Sequence, residues 1–164
     1  SNFVNKHLPK DKSVLVIGCG TSSLTYDMYE EGFTQISSMD YSPEAIEEMK
    51  VKYPQLKWSV MDVRKMDYPD ASIDSIVDKG TLDCLFFLDE TNVEVSKMLS
   101  EVSRVLKPGG HYIVVTCGHP MQRTDVFLGD KKYKWNIADW EEYLPPDDSF
   151  THPSAYVYCL AKEE

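Results

Sequence analysis

Short apolar runs alternate with amphipathic stretches along most of the chain. The runs predict β-strands at residues 14–17, 35–39, 57–61, 73–78 and 111–117. In the first of these, Val14–Ile17, four apolar residues follow one another and three are β-branched, which is typical of a strand buried on both faces. The amphipathic stretches predict helices at residues 22–31, 42–53 and 93–106. Strands alternating with helices predict a parallel sheet with right-handed crossovers.

The pattern is weaker at two places in the chain. Residues 133–140 and 155–161 predict two more strands without a long helix between them, which favours an antiparallel hairpin. Residues 144–148 predict a loop, and residues 80–90 are either irregular or the beginning of a helix. We therefore expect one α/β domain over residues 1–164. It is a Rossmann-like three-layer sandwich with a mostly parallel seven-stranded sheet and an antiparallel C-terminal hairpin.

Composition narrows the functional classes. The 164 residues include 27 acidic and 17 basic side chains, and the net charge of −10 argues against a nucleic-acid backbone as partner. No apolar run approaches the roughly 20 residues that span a membrane, and no signal peptide is evident. The four cysteines form no C-x-x-C pair and the histidines are scattered, so no metal site is predicted. We expect a monomer in the cytoplasm.

A glycine-containing turn follows the first predicted strand. Gly18 and Gly20 permit a tight turn and a close approach of a ligand to the backbone. Thr21, Ser22 and Ser23 can cap the helix that follows. Because Ser23 replaces the third glycine of the dinucleotide pattern G-x-G-x-x-G, the turn favours an adenosine cofactor without phosphates over a nicotinamide dinucleotide.

Acidic residues end three successive predicted strands, at Asp40, Asp62 and Asp78. Asp40 comes 22 residues after Gly18, about where a carboxylate accepts bonds from a ribose diol. Asp62 suits the exocyclic amine of adenine, with the Val63 backbone reading the edge of the ring. One strand-end aspartate is most simply the start of a loop, but three in register with a glycine turn favour a binding site.

Several motifs then resemble a known family. VLVIGCG, SSMDYS, MDVRKM and LKPGG occur in the order and spacing of the class I S-adenosylmethionine-dependent methyltransferases. More narrowly, VIGCGTSSLTYDMYEEGF, DYS, MDVRKMDYP and DKGTLDCL resemble the group of the elongation factor 1-alpha lysine methyltransferases, with its endothelin-converting-enzyme-2-like domain. Relatives usually carry an N-terminal segment rich in Trp and Tyr, and we expect part of it to be missing here.

The resemblance implies S-adenosylmethionine as the cofactor and S-adenosylhomocysteine as its product. It assigns the methionine part to Gly18, Gly20 and Ser22, and the neighbourhood of the sulfonium to Asp78 and Lys79. The complete predicted cofactor site is Gly18, Cys19, Gly20, Thr21, Ser22, Asp40, Tyr41, Ser42, Asp62, Val63, Asp78 and Lys79. Tyr41 either lies against the cofactor or packs within the fold.

Asp78 is also the predicted catalytic residue, because an acidic group can bind and orient the ammonium of an acceptor lysine. Asp83 is a weaker candidate for the same role, with helix capping as the alternative. Lys79 is expected to pair with a carboxylate rather than to act in the chemistry. The roles of His119 and Arg123 stay open.

The leading hypothesis is a protein-lysine methyltransferase with elongation factor 1-alpha as the candidate partner, and with neither nucleic acid nor membrane as a partner. One alternative is a small-molecule methyltransferase on the same fold. Another is a cofactor-binding module that has lost catalysis and serves protein interaction. A nicotinamide oxidoreductase is disfavoured by Ser23 and by the LKPGG turn.

Overall fold

The computed structural model describes residues 2–88, 91–143 and 154–164. Within them the helices are α1 (Asn2–His7), α2 (Leu24–Glu30), α3 (Pro43–Lys52), α4 (Thr81–Leu88), α5 (Val93–Val105) and α6 (Pro120–Leu128). The strands are β1 (Val14–Ile17), β2 (Ile36–Asp40), β3 (Lys57–Val60), β4 (Ile73–Lys79), β5 (Leu106–Thr116), β6 (Trp135–Tyr143) and β7 (Ala155–Lys162). The predicted loop at 144–148 lies outside the described residues.

The seven strands form one sheet in the order β3-β2-β1-β4-β5-β7-β6. β1 to β5 are parallel to one another, whereas β7 is antiparallel to both β5 and β6. This confirms the predicted parallel sheet with an antiparallel C-terminal hairpin. The chain moves outward from β1 to β3 and then returns to β4 on the other side of β1. The carboxyl ends of β1, β2 and β4 therefore meet at the topological switch point, where open α/β sheets bind their ligands.

Apolar cores lie on both faces of the sheet. Every residue of β1 is buried, as its sequence predicts. Leu15 and Ile17 belong to the core that also contains Val102 and the rest of the apolar side of α5. Val14 and Val16 belong to the opposite core, which includes buried residues of α1, α2 and α3. The sheet is therefore the middle of three layers.

The strand before the hairpin is longer than predicted. β5 begins at Leu106 rather than at 111, because Leu106 already pairs with Ile73 of β4, while residues 107–110 bulge out of the ladder before His111 pairs with Ser75. The pairing shifts register between Ile73 and Ser75, which marks an irregularity in the ladder. Gly109 has a φ of +72°, which other residues rarely adopt, so this glycine suits the irregular segment.

The helices also differ from the prediction in three places. α2 begins at Leu24, because Thr21–Ser23 belong to the turn that precedes it. The ambiguous segment after β4 forms α4, and the unpredicted α6 follows His119. None of the helices in the described ranges combines the length and the apolar character that a membrane crossing requires.

Candidate functional site

The glycine turn after β1 uses its two glycines differently. Gly18 has a φ of +56°, and a Cβ placed on it would overlap the hydroxyl oxygen of Thr81 at the start of α4. Gly20 has a φ of +50°, and no atom lies within 4 Å of the position that its Cβ would take. Gly18 therefore allows α4 to pack on the turn, whereas Gly20 leaves an open space beside it.

Asp40 joins the end of β2 to this turn. The backbone N–H of Gly20 donates to Asp40 Oδ2 at 2.8 Å, and the backbone N–H of Ser42 donates to Oδ1 at 2.9 Å. The residue is only 7% exposed. A carboxylate offers about four acceptor positions, so these two bonds fix the Asp40 side chain and leave capacity for a ligand hydroxyl.

A cavity of about 230 Å³ opens at the carboxyl ends of β1, β2 and β3, and we call it the base pocket. Its lining includes five of the predicted site residues, namely Gly18, Asp40, Tyr41, Asp62 and Val63. Lining residues that the sequence did not predict are Met39, Met61, Arg64, Thr81, Cys84, Leu85 and Leu88. The pocket thus combines mostly apolar walls with carboxylates from two neighbouring strand ends, as small-molecule sites usually do.

Asp62 is held by Arg64 at the side of this pocket. Arg64 Nε lies 2.9 Å from Asp62 Oδ1, and Arg64 Nη2 lies 2.6 Å from Oδ2. The backbone N–H of Arg64 also donates to Oδ1 at 2.8 Å. The guanidinium hydrogen bonds lower the pKa of the Asp62 carboxyl. Asp62 therefore stays ionised at neutral pH and acts only as an acceptor.

A second, smaller cavity of about 20 Å³ adjoins the first through Gly18. Its lining includes Cys19, Ser22 and Lys79, all of which the sequence assigns to the cofactor site. Burial, followed by the charge of Asp40, raises the pKa of the Cys19 thiol to about 12. Cys19 therefore contributes a neutral thiol to this part of the site.

Asp78 does not face either cavity, and its carboxylate is fully buried. The backbone N–H groups of Thr81 and Leu82 donate to it at 2.8 and 3.0 Å, and the hydroxyl of Tyr112 donates at 3.0 Å. Burial raises the pKa of the Asp78 carboxyl to about 6. These contacts make Asp78 the side chain that holds the first turn of α4. Its catalytic role stays a prediction, and direct contact with an acceptor requires this arrangement to open.

Three other predicted site residues lie outside both cavities. Ser42 is the N-cap of α3, and its hydroxyl accepts from the backbone N–H of Ala45 at 3.2 Å. Thr21 is exposed in the turn, next to Gly20. The third residue is Gly20 itself. Gly20 and Thr21 lie in the turn after β1, and Ser42 follows the end of β2, so all three are at the carboxyl end of the sheet but not on the cavity walls.

Asp83 and Arg123 form a nearly buried ion pair beyond β4 and β5. Arg123 Nη2 lies 3.1 Å from Asp83 Oδ1, and the Arg123 guanidinium lies 4.0 Å from the ring centre of Phe86. Asp83 also accepts from the hydroxyl of Thr116 and from the backbone N–H of Cys117 at 2.8 Å. This cluster ties α4 to α6 and gives Arg123 a structural role.

His119 has a capping role at the beginning of α6. Its Nδ1 accepts from the backbone N–H of Met121 at 3.1 Å. Its ring packs edge-on against Tyr156, with 5.3 Å between the ring centres. These contacts account for the side chain without a ligand.

A protein-family model described as a methyltransferase domain matches residues 8–151. The chain belongs to this methyltransferase family. The family resemblance expected from the sequence motifs is thereby confirmed.

Two named methyltransferases that are similar to this chain in sequence support this assignment. The mouse (Mus musculus) EEF1A lysine methyltransferase 4 is 40% identical over 140 residues, which are 79% of this chain and 54% of the mouse protein. The human (Homo sapiens) eEF1A lysine and N-terminal methyltransferase is 39% identical over 119 residues, which are 69% of this chain and 17% of the human protein. The chain thus spans about half the length of the first relative and less of the second.

Solved structures confirm the fold. A SAM-dependent methyltransferase from Methanosarcina mazei superposes with a TM-score of 0.78 and 18% identity, and covers 99% of this chain and 98% of its own. At this identity the likeness concerns the architecture alone. It confirms the Rossmann-like arrangement of sheet and helices predicted for this methyltransferase.

The pocket fits a phosphate-free adenosine cofactor. Asp40 and Asp62 place carboxylates at two adjacent strand ends, where phosphate groups would be repelled, whereas hydroxyl and amine donors would be accepted. Arg64 lines the pocket, but its guanidinium is already occupied by Asp62 and Glu94. The site therefore offers acceptors for a ribose and for an exocyclic amine.

The residues that sequence reasoning missed come mainly from α4. Its segment TLDCLFFL is largely apolar with only one charged residue, so no polar face marked it as a helix. Met39 and Met61 carried a usable signal, since each directly precedes a strand-end aspartate. The residue before a strand-end aspartate is therefore itself a candidate for the wall of the pocket.

Proposed function

We propose that this protein is an S-adenosylmethionine-dependent protein-lysine methyltransferase, with elongation factor 1-alpha as its acceptor. The observation that carries the proposal is the pairing of Asp40 and Asp62 on the walls of one pocket beside the glycine turn. The names of the relatives supply the acceptor class. We further propose a single domain that acts as a monomer in the cytoplasm, the compartment of translation.

Each part of the pocket has a proposed task. Asp40, fixed by two backbone bonds, accepts from the ribose hydroxyls. Asp62 accepts from the adenine amine, and Val63 contacts the edge of the base. The open space beside Gly20 receives the methionine part. When bound, S-adenosylmethionine supplies an electrophilic methyl group on a positively charged sulfur.

The protein contributes alignment rather than a redox group or a strong base. A free lysine amine has a pKa of about 10.4, so the acceptor must lose a proton, which passes to water, before it can react. Holding two reactants in line lowers the barrier by several kcal/mol. The net charge of −10 favours a basic acceptor protein through long-range attraction.

Methyl transfer to purified elongation factor 1-alpha tests this proposal. The protein is incubated with the factor and S-adenosylmethionine carrying a labelled methyl group, and the labelled residue is located by mass spectrometry. We expect label on a lysine of the factor, and loss of labelling in Asp40→Ala but not in Asp67→Ala, which removes an exposed carboxylate outside the pocket. The same incubation is repeated with a cell lysate in place of the purified factor. Absence of label from the purified factor, with label only in small molecules of the lysate, contradicts the protein acceptor.

A further inference from the structure

Arg64 stands between two cavities. It lines the base pocket together with Asp62 and Val63. It also lines a second cavity of about 390 Å³ that runs along α5, which we call the α5 cavity. The other residues that line the α5 cavity are Val93, Ser96, Lys97, Ser100, Glu101 and Lys132. Within the described residues Arg64 is the one that lines both cavities, so its side chain is their common wall.

This wall is held from both sides. On the side of the base pocket, Arg64 Nη2 and Nε bind the two carboxylate oxygens of Asp62 at 2.6 and 2.9 Å. On the side of α5, Arg64 Nη1 binds Glu94 Oε2 at 2.6 Å. Glu94 in turn accepts from Lys97 Nζ at 2.7 Å. A planar guanidinium that binds carboxylates on two sides is held in one orientation better than a guanidinium that binds a single carboxylate.

We propose that Arg64 is the specificity-determining wall of the base pocket, which admits a free exocyclic amine and excludes bases enlarged at that nitrogen. The inference rests on the proposed function, in which Asp62 accepts from that amine. A substituent on the nitrogen must pass Asp62 on its way out of the pocket. The guanidinium of Arg64 occupies that route, and the α5 cavity lies beyond it.

Arg64 also selects the polarity of the base. Asp62 Oδ1 accepts from the backbone N–H and from Nε of Arg64, and Oδ2 accepts from Nε and Nη2. Because the ionised carboxylate has no proton to donate, it interacts only with a donor, and the amine of a base shares its acceptor positions with Arg64. A base with a carbonyl oxygen in place of the amine, as in inosine, places an acceptor against this carboxylate. Such a pair sets two acceptors against each other and leaves the carbonyl oxygen without a donor, so the pocket rejects it.

A binding experiment with an enlarged ligand tests the wall. Isothermal titration calorimetry measures the affinities of S-adenosylhomocysteine, its N6-benzyl derivative and its inosine analogue for the wild type and for Arg64→Ala. We expect the wild type to bind S-adenosylhomocysteine at least tenfold more tightly than either analogue. We expect Arg64→Ala to bind S-adenosylhomocysteine about tenfold more weakly and to gain affinity for the benzyl derivative, because the pocket then opens into the α5 cavity.

Two further variants distinguish the loss of the Arg64 barrier from a general structural defect. Lys132→Ala enlarges the α5 cavity without touching Arg64 and should leave all three affinities unchanged. Glu94→Gln keeps the Arg64 side chain but weakens its hold on α5, and should admit the benzyl derivative in part. A structural defect alone lowers every affinity and creates none, so the gain of the benzyl derivative is the informative signal.

The outcomes distinguish this inference from the proposed function. If the wild type binds S-adenosylhomocysteine and the benzyl derivative equally well, Arg64 does not exclude enlarged bases and the inference is overturned. The inference is likewise overturned if folded Arg64→Ala and Glu94→Gln both still exclude the derivative. If the wild type binds no adenosine ligand at all, the proposed function fails together with the inference.

Discussion

The side chain of Thr81 packs directly on Gly18, where a Cβ would overlap the Thr81 hydroxyl and lie 2.7 Å from its methyl carbon. The same hydroxyl donates to the carbonyl oxygen of Ile17 at 3.2 Å. The beginning of α4 is thereby fixed on the turn that follows β1. Two walls of the base pocket, the turn and the helix, are built as one unit.

This contact predicts different effects at the two glycines. Gly18→Ala should destabilise the fold by about 3 kcal/mol, because the new methyl group displaces α4 in addition to the strain of a positive φ. Gly20→Ala meets open space and should cost about 1 kcal/mol, the strain alone. Urea unfolding measures both. Equal losses in the two variants would contradict the role of the Thr81 contact.

Asp78 predicts an unusual pH dependence of stability. Its carboxyl has a pKa of about 6 in the folded chain against the ordinary 3.8, a difference that corresponds to about 3 kcal/mol. The folded chain therefore holds this proton to a higher pH than the unfolded chain. The stabilising contribution of the group is complete below pH 4 and is lost as the pH rises through 6.

The comparison with Asp78→Asn isolates this group. The free energy of unfolding of the wild type minus that of the variant should fall by about 3 kcal/mol between pH 4 and pH 7. Urea titrations at several pH values measure it, since the other titrating groups cancel in the difference. A flat difference across this range would show that burial does not raise the pKa of Asp78.

The ion pair between Asp83 and Arg123 predicts a strong loss when one partner is removed. Arg123→Met should cost about 3 kcal/mol, because the Asp83 carboxylate is left nearly buried without its cation. Asp83→Asn in the same chain should restore part of that loss. Hydrogen exchange should show faster opening of α6 in the single variant. An unchanged exchange rate in α6 would show that the ion pair between Asp83 and Arg123 does not hold α6 against α4.

Replacement of Asp40 is expected to weaken cofactor binding with little change in the rest of the fold. Asp40→Asn keeps the size of the side chain but loses the charge and one acceptor, so affinity for S-adenosylhomocysteine should fall about a hundredfold. Calorimetry measures it, with Asp67→Asn as the matched control. An Asp40→Asn protein that binds as tightly as the wild type would take Asp40 out of the site.

The sheet and two of its acidic residues were predictable because parallel strands impose a simple geometry. Buried runs such as Val14–Ile17 mark strands, and the residue after each run lies at the carboxyl edge of the sheet. This is why Asp40 and Asp62 were both expected at one site, and both line the base pocket.

The same rule failed to reveal the direction of Asp78, which also ends a strand. The hydrophobic pattern of the strand predicts that Asp78 lies at its carboxyl end. The direction of the Asp78 carboxylate depends on the backbone N–H groups at the N-terminus of α4, which bind it inside the protein. The sequence left residues 80–90 open between an irregular segment and the beginning of a helix, because the apolar sequence of α4 has no polar face. The wall at Arg64 was missed for a related reason, since it depends on a contact with Glu94, 30 residues away.

We expect the pocket beside the glycine turn to bind an adenosine cofactor without phosphates. Calorimetric titration of the wild type with S-adenosylmethionine, S-adenosylhomocysteine and NAD measures whether the pocket selects such a cofactor. We expect one site per chain for S-adenosylmethionine and for S-adenosylhomocysteine, and no binding of NAD. Binding of NAD with no response to either S-adenosyl compound would contradict it.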